Sequence, residues 1–285
     1  MEVRLLPPFG YCEGVVMALK KAEDAKLAYP DRDVYLLGAP VHNELVVSSL
    51  LEKGLLLLDE KKAPLLRQLS ALKEGDVVVL SAHGHPLSYE EIAKDKGLIL
   101  IDATCPMVKA TERIGMEEKA PFVYVGVKGH AESEAFLSNC PHSGFYDVSS
   151  QKLLKESEGQ AEIALTQTTL SHDEIEEAKE ALRPLYPNLC FLKERCHATT
   201  LRQKALEEMD PSIEAVIILG SKSSNNTLKL YEIASKRRPT FLCLDEKEAR
   251  GLDLSRFHVI GLTSGASTPA SLVLSVKDAL EKDPA

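Results

Sequence analysis

Short apolar runs recur along the chain, each closed by glycine or by a polar cluster: VYLLG (34–38), VVVL (77–80), FVYVG (122–126), IALT (163–166), VIILG (216–220) and VIGLT (259–263). They are too short for helices and rich in β-branched residues, so they read as strands buried on both faces of a parallel sheet. Between them lie stretches with apolar residues at helical spacing, such as Val15, Val16, Leu19 and Ala22, or Ala198, Leu201, Ala205 and Met209. Strands alternating with helices predict an α/β protein.

The pattern repeats three times. PPFGYCEGVVMALKKA, IDATCPMVKATERI and KERCHATTLRQKALEEM each place a cysteine just before a helical stretch; Cys105 follows Cys12 by 93 residues and Cys196 follows Cys105 by 91. Each cysteine is followed by a helix and then by a strand with a first polar loop: LGAPVHNE, VGVKGHAESE or LGSKSSNNT. A second helix and strand lead to a second polar loop: LSAHGH, LTQTTLSH or LTSGASTP. The units expected are 1–102, 103–194 and 195–285. In parallel sheets ligands gather beyond the carboxyl ends of the strands. Three similar small α/β domains with parallel sheets, arranged as a pseudo-threefold trefoil, would turn all nine loops towards one central cavity.

The formal charge of −9 argues against a nucleic-acid scaffold. No run approaches the roughly 18 apolar residues a membrane span requires, and MEVRLLPPFGY lacks the features of a signal peptide. A cytoplasmic protein, monomeric by default, is expected. Its six cysteines are then thiols or metal ligands.

Cys190 and Cys243 sit inside apolar runs and read as buried packing residues, while Cys140 has no counterpart in the other thirds. Cys12, Cys105 and Cys196 differ, because packing cysteines would not recur at strand-to-helix junctions with a common period. A helix N-terminus favours thiolate, and Pro106 marks such a start after Cys105. Three converging thiolates suit a soft metal centre. A structural zinc site would need a fourth protein ligand, whereas a cubane iron–sulfur cluster on three cysteines leaves one iron open. Two other readings stand beside it: a Lewis-acid enzyme without redox chemistry, and a zinc-holding or redox-sensing module.

The loops carry His42, His83, His130, Thr168, Ser224, Asn225, Asn226 and Ser267, a donor set suited to an oxyanion at helix N-termini. His85 is ambiguous, and His142, His172, His197 and His258 have no recurring context. Glu132 is the acid in this neutral or cationic set and hence the candidate proton donor, with Glu134 as the alternative. No GxGxxG or phosphate-binding P-loop pattern is present.

Together GYCEGV, VHN, SAHG, DATCP, GHxE, TQTTLS, CxATTLRQ, SxNT and GASxP, running in order from residue 10 to 269, resemble the 4-hydroxy-3-methylbut-2-enyl diphosphate reductase family (IspH, or LytB). The resemblance implies a three-domain trefoil and a [4Fe–4S] cluster on Cys12, Cys105 and Cys196. It further implies that His42, His83, Ser224, Asn226 and Ser267, helped by His130, grip a diphosphate. Glu132, with Thr168 beside it, would handle protons. The implied reaction is a two-electron reductive dehydroxylation yielding isopentenyl and dimethylallyl diphosphate, the last step of the methylerythritol phosphate route, with ferredoxin or flavodoxin as electron donor. The chain departs from the family at Ser224-Asn225, where Asn225 replaces the second of two serines, and at Lys109-Ala110-Thr111, where a K-V-H segment is usual.

Overall fold

The computed structural model describes residues 1–192 and 196–282. The chain opens with β1 (Glu2–Leu5), α1 (Glu13–Ala28), β2 (Val34–Leu37), α2 (Glu44–Glu52), β3 (Leu56–Leu58), α3 (Leu65–Ser70), β4 (Val77–Leu80), α4 (Ser88–Asp95) and β5 (Ile99–Ile101). It continues with α5 (Pro106–Glu117), β6 (Phe122–Gly126), α6 (Ala131–Asn139), β7 (Gly144–Asp147), β8 (Lys152–Lys155), β9 (Ile163–Thr166), α7 (His172–Leu182) and β10 (Cys190–Phe191). The last elements are α8 (His197–Glu207), β11 (Ala215–Leu219), α9 (Asn225–Ser235), β12 (Thr240–Cys243), α10 (Glu246–Arg250), β13 (Val259–Ser264) and α11 (Ala270–Lys282).

Among the described residues these strands form three sheets, ordered β1-β13-β11-β12, β10-β9-β6-β7-β8 and β3-β2-β4-β5. Every described pairing is parallel except that of β7 with β8. The chain divides into two compact units. One comprises Met1–Val15, His42–Val46 and Cys196–Ala285, and the other Val16–Val41 and Val47–Arg195.

In the first unit, β11 shows why its run is apolar throughout. Ala215, Ile217 and Leu219 pack with Val273 and Val276 of α11, while Val216 and Ile218 pack with Leu206 of α8 and Leu230 of α9. With side chains alternating between faces, a strand covered by helices on both sides has no polar position. In the second unit, β6 is built the same way, with Val123 and Val125 against Ile175 and Leu182 of α7, and Phe122 and Tyr124 against Phe136 of α6. The third sheet rests Leu37, Val78 and Leu80 on Leu69 of α3.

Two readings from the sequence need correction. Cys243 is buried, but Cys190 is exposed, because β10 is a two-residue edge strand. The apolar stripe proposed for α8 is not its inner face. Leu201 is 40% exposed, and the buried positions are Thr199, Arg202, Gln203 and Leu206. Among the described residues no helix is long and apolar enough to cross a membrane.

Candidate active site

The singled-out residues lie between the end of a strand and the start of a helix or in that helix's first turn. His42 follows β2 and precedes α2; His83 lies between β4 and α4; Thr168 lies between β9 and α7; Ser267 lies between β13 and α11. His130 and Ser224 are the N-caps of α6 and α9, and Asn225 and Asn226 open α9. The loop reading fits His42, His83, His130, Thr168, Ser224 and Ser267, whereas Asn225 and Asn226 already belong to the first turn of α9.

In the unit carrying α6, the acid is Glu132, 3% exposed in the first turn of that helix. The Thr168 N–H donates to Glu132 Oε1 and the Thr168 hydroxyl to Oε2, both at 2.8 Å. Burial pushes the carboxyl up to about 7, against the downward pull of those two bonds. The group is thus poised to exchange a proton near neutrality. His130 Nδ1 accepts the Glu132 N–H at 3.2 Å, so the neutral imidazole carries its proton on Nε2. The His83 ring stands edge-on to His130, centroids 5.8 Å apart. Gln167 braces the loop, accepting from the Val127 N–H and the Ser133 hydroxyl and donating to Thr169. Glu134, the alternative acid, instead accepts the Gly129 N–H.

Thr168→Val keeps the backbone bond and side-chain volume but removes the hydroxyl. The Glu132 carboxyl should then titrate at still higher pH, and turnover should fall about tenfold from lost orientation. Infrared titration of the carboxyl band, alongside kcat, checks both.

The other unit gathers His42, Ser224, Asn226 and Ser267. The Ser267 hydroxyl donates to the His42 carbonyl (3.1 Å), the Asn43 amide to Thr268 (3.5 Å), and the Ser223 hydroxyl to Glu44 (3.2 Å). These bonds tie the starts of α2, α9 and α11 together. Asn43 Oδ1 caps α2 through Leu45 and Val46, and the Ser224 hydroxyl caps α9 through Thr227. Gly220, at φ +151°, lets the turn after β11 approach closely, since a Cβ there would lie 2.7 Å from Thr227 Oγ1. Asn226 is only 6% exposed, and neither its amide nitrogen nor its carbonyl oxygen has a partner. An amide buried without partners is costly, and one at a helix start is suited to a bound anion.

Cys105 and Cys196 are the N-caps of α5 and α8, and neither sulfur makes a capping bond. Cys12 directly precedes α1. Arg202 tests whether an anionic cluster fits. It is buried, donates to the carbonyls of Ala198 and Gly10, and leaves Nε without a partner. Burial lowers its pKa, while the charges of Cys12 and Cys196 support its protonated form. A buried guanidinium requires an anion, and thiolates on a cluster supply one. Among the described residues no three or more His, Cys, Asp or Glu side chains are grouped to hold a single ion. A cubane does not require such a group, because its cysteines bind different irons.

Reasoning from the sequence gave no role to Arg202 or Glu112, although Arg202 lies within the quoted CxATTLRQ stretch. His85, ambiguous in the sequence, is buried and pairs with Glu90 at 2.9 Å.

Parallel α/β units carrying a buried, near-neutral acid and, at a helix start, a buried amide without partners have the makings of an α/β enzyme that moves protons. A family model described as LytB protein matches residues 3–281. The chain is 33% identical to the 4-hydroxy-3-methylbut-2-enyl diphosphate reductase of Bacillus subtilis, covering 99% of this chain and 91% of that one. It is 32% identical to that of Escherichia coli O9:H4, covering 99% and 90%. A Fusobacterium nucleatum relative of the same name is longer, and the match spans 34% of its length. The solved Plasmodium falciparum E-1-hydroxy-2-methyl-but-2-enyl-4-diphosphate reductase superposes with a TM-score of 0.87 at 29% identity, covering 99% of this chain and 89% of that one. The chain belongs to the LytB family of 4-hydroxy-3-methylbut-2-enyl diphosphate reductases, and is an oxidoreductase.

Proposed function

We propose that the protein reduces 4-hydroxy-3-methylbut-2-enyl diphosphate to isopentenyl and dimethylallyl diphosphate, with loss of the hydroxyl as water. The observation that carries the reading is Glu132, a carboxyl held near neutrality by burial and aimed by two bonds from Thr168. Reductive dehydroxylation needs a donor of that kind at the departing hydroxyl.

In this reading Cys12, Cys105 and Cys196 hold a [4Fe–4S] cluster, as the recurring strand-to-helix placement and the buried charge of Arg202 support. When bound, the cluster supplies single electrons and an open, Lewis-acidic iron. Units 1–102, 103–194 and 195–285, as a trefoil, would bring the nine loops to one substrate. His42, Ser224, Asn226 and Ser267, with His83, bind the diphosphate, and Asn225 stands in for a serine beside it. His130 and Thr168 orient the hydroxyl end, and Glu132 delivers its proton. Burial around Glu132 keeps bulk water from competing. Low-potential donors of the ferredoxin or flavodoxin kind supply the electrons.

Anaerobic purification followed by iron and acid-labile sulfide analysis tests the cluster. About four of each per chain is expected, and zinc without sulfide would contradict it. Asn226→Ala should weaken binding of inorganic diphosphate and raise the KM for substrate about 10- to 100-fold. It should leave Tm equal or higher, because it removes an unpartnered buried amide. Calorimetric titration and a thermal melt check the two signs.

A further inference from the structure

We propose that Glu112 is a positioning residue for the reductase reaction, the group through which protons from a solvent cavity reload Glu132. The inference rests on the reductase reading above and adds the route by which its acid is recharged.

Glu112 lies on α5, 8% exposed, with Oε1 lacking a partner. It borders a cavity of about 510 Å3 lined also by His85, Asp102, Thr104, Lys109 and Asn139. On its inner side it reaches the elements that carry the active-site groups. Gly84, between His83 and His85, has φ +86°, and a Cβ there would lie 2.7 Å from Glu112 Oε1 and 3.4 Å from Ala135. Ala135 is one turn along α6 from Glu132. Asn139, at the far end of α6, holds the same loop by donating to the His85 carbonyl and accepting the Leu87 N–H, both at 2.9 Å. Glu112 is thus packed between open solvent and the loop and helix bearing His83 and Glu132.

The electrostatics agree with that placement. Burial pushes Glu112 up to about 7, helped by the charges of Glu132 and Asp102 and opposed by Lys109 and a hydrogen bond from Asn139. Burial raises Glu132 as well, so both carboxyls are able to hold a proton near neutrality. The other titratable groups facing Glu112 do not compete for it. Tyr124 and Cys140 are pushed upward, Cys140 to about 12, and stay protonated. Arg113 and Glu90 line the cavity, the latter paired with His85.

Each turnover consumes two electrons and two protons, releasing water. Glu132 gives one proton to the departing hydroxyl and becomes a carboxylate sealed from solvent. The proton then passes from Glu112 to Glu132 through a bridging water: the Glu112 O–H breaks as a water O–H forms, another O–H of that water breaks as the Glu132 O–H forms, and a water or buffer acid in the cavity reprotonates Glu112. No electrons are exchanged in this step.

The test is Glu112→Gln in the cluster-loaded enzyme, assayed with reduced viologen from pH 6 to 9. The expected result is a fall in kcat of about tenfold or more with KM unchanged, the deficit growing as pH rises. In Glu112→Ala, imidazole or formate entering the cavity should restore part of the rate. An E112Q enzyme with wild-type kcat across the range, or an E112A enzyme indifferent to small acids, would overturn the relay while leaving the reductase reading intact. A wild type that consumes no substrate would overturn that reading and the relay with it. A second measurement does not depend on E112Q folding. In Glu132→Gln, infrared titration should show the Glu112 carboxyl moving to lower pH, and an unmoved band would show the two groups uncoupled and overturn the relay.

Discussion

Cys105→Ser is expected to strip iron and sulfide from the anaerobically purified protein, from about four irons per chain to below about one, while leaving the fold intact or firmer. Cys105 is the N-cap of α5, but its sulfur makes no capping bond. Serine caps helices well, a difference of about 1 kcal/mol. A position chosen for stability would therefore carry serine, and a thiol there points to what it ligates. The same loss is expected at Cys12 and Cys196. Cys243→Ser should keep its iron, because burial pushes that thiol up to about 11 and away from thiolate. Cys190→Ser should also keep it, since Cys190 lies exposed on an edge strand. Iron content beside circular dichroism and Tm separates cluster loss from unfolding. An iron-replete Cys105→Ser protein would end the three-cysteine reading.

Glu132→Gln is expected to lower kcat by about 10²–10⁴-fold with the cluster retained. Glutamine reproduces the protonated acid in shape. Its carbonyl accepts the Thr168 N–H, and its amide donates to the Thr168 hydroxyl, which can accept as well as donate. The one capacity lost is the transferable proton. The same substitution has a signed effect on stability. With a folded pKa of about 7 against an ordinary 4.5, the native state binds more protons than the unfolded one between those values, so wild-type stability falls as pH rises through that window. The variant lacks that loss. Its Tm should exceed the wild type's at pH 8 and converge with it below pH 5. Thermal melts at the two pH values read the sign directly.

The loops carrying this chemistry were legible because each follows a short apolar run and precedes a helix, punctuation set by local sequence. Glu132 stood out as an acid within a neutral and cationic loop set, and burial on α6 explains its raised pKa. Other features had no local signal. β1 pairs with β13 across nearly the whole chain, and a four-residue strand does not announce so distant a neighbour. Charged residues on helices default to the surface, so nothing local marks Arg202 and Glu112, which packing buries. Leu201 failed the opposite way. The inner face of α8 combines the buried Leu206 with Thr199, Arg202 and Gln203, Arg202 donating to the Gly10 carbonyl, and Leu201 stays outside.

The proposed reduction consumes electrons as the substrate loses its hydroxyl. The most direct measurement is the ratio of reduced methyl viologen oxidised to diphosphate product formed by the iron-replete enzyme under anaerobic conditions. Two viologens oxidised per isopentenyl or dimethylallyl diphosphate released are expected. Substrate consumed without viologen oxidation would show a Lewis-acid enzyme instead and overturn the reductase reading.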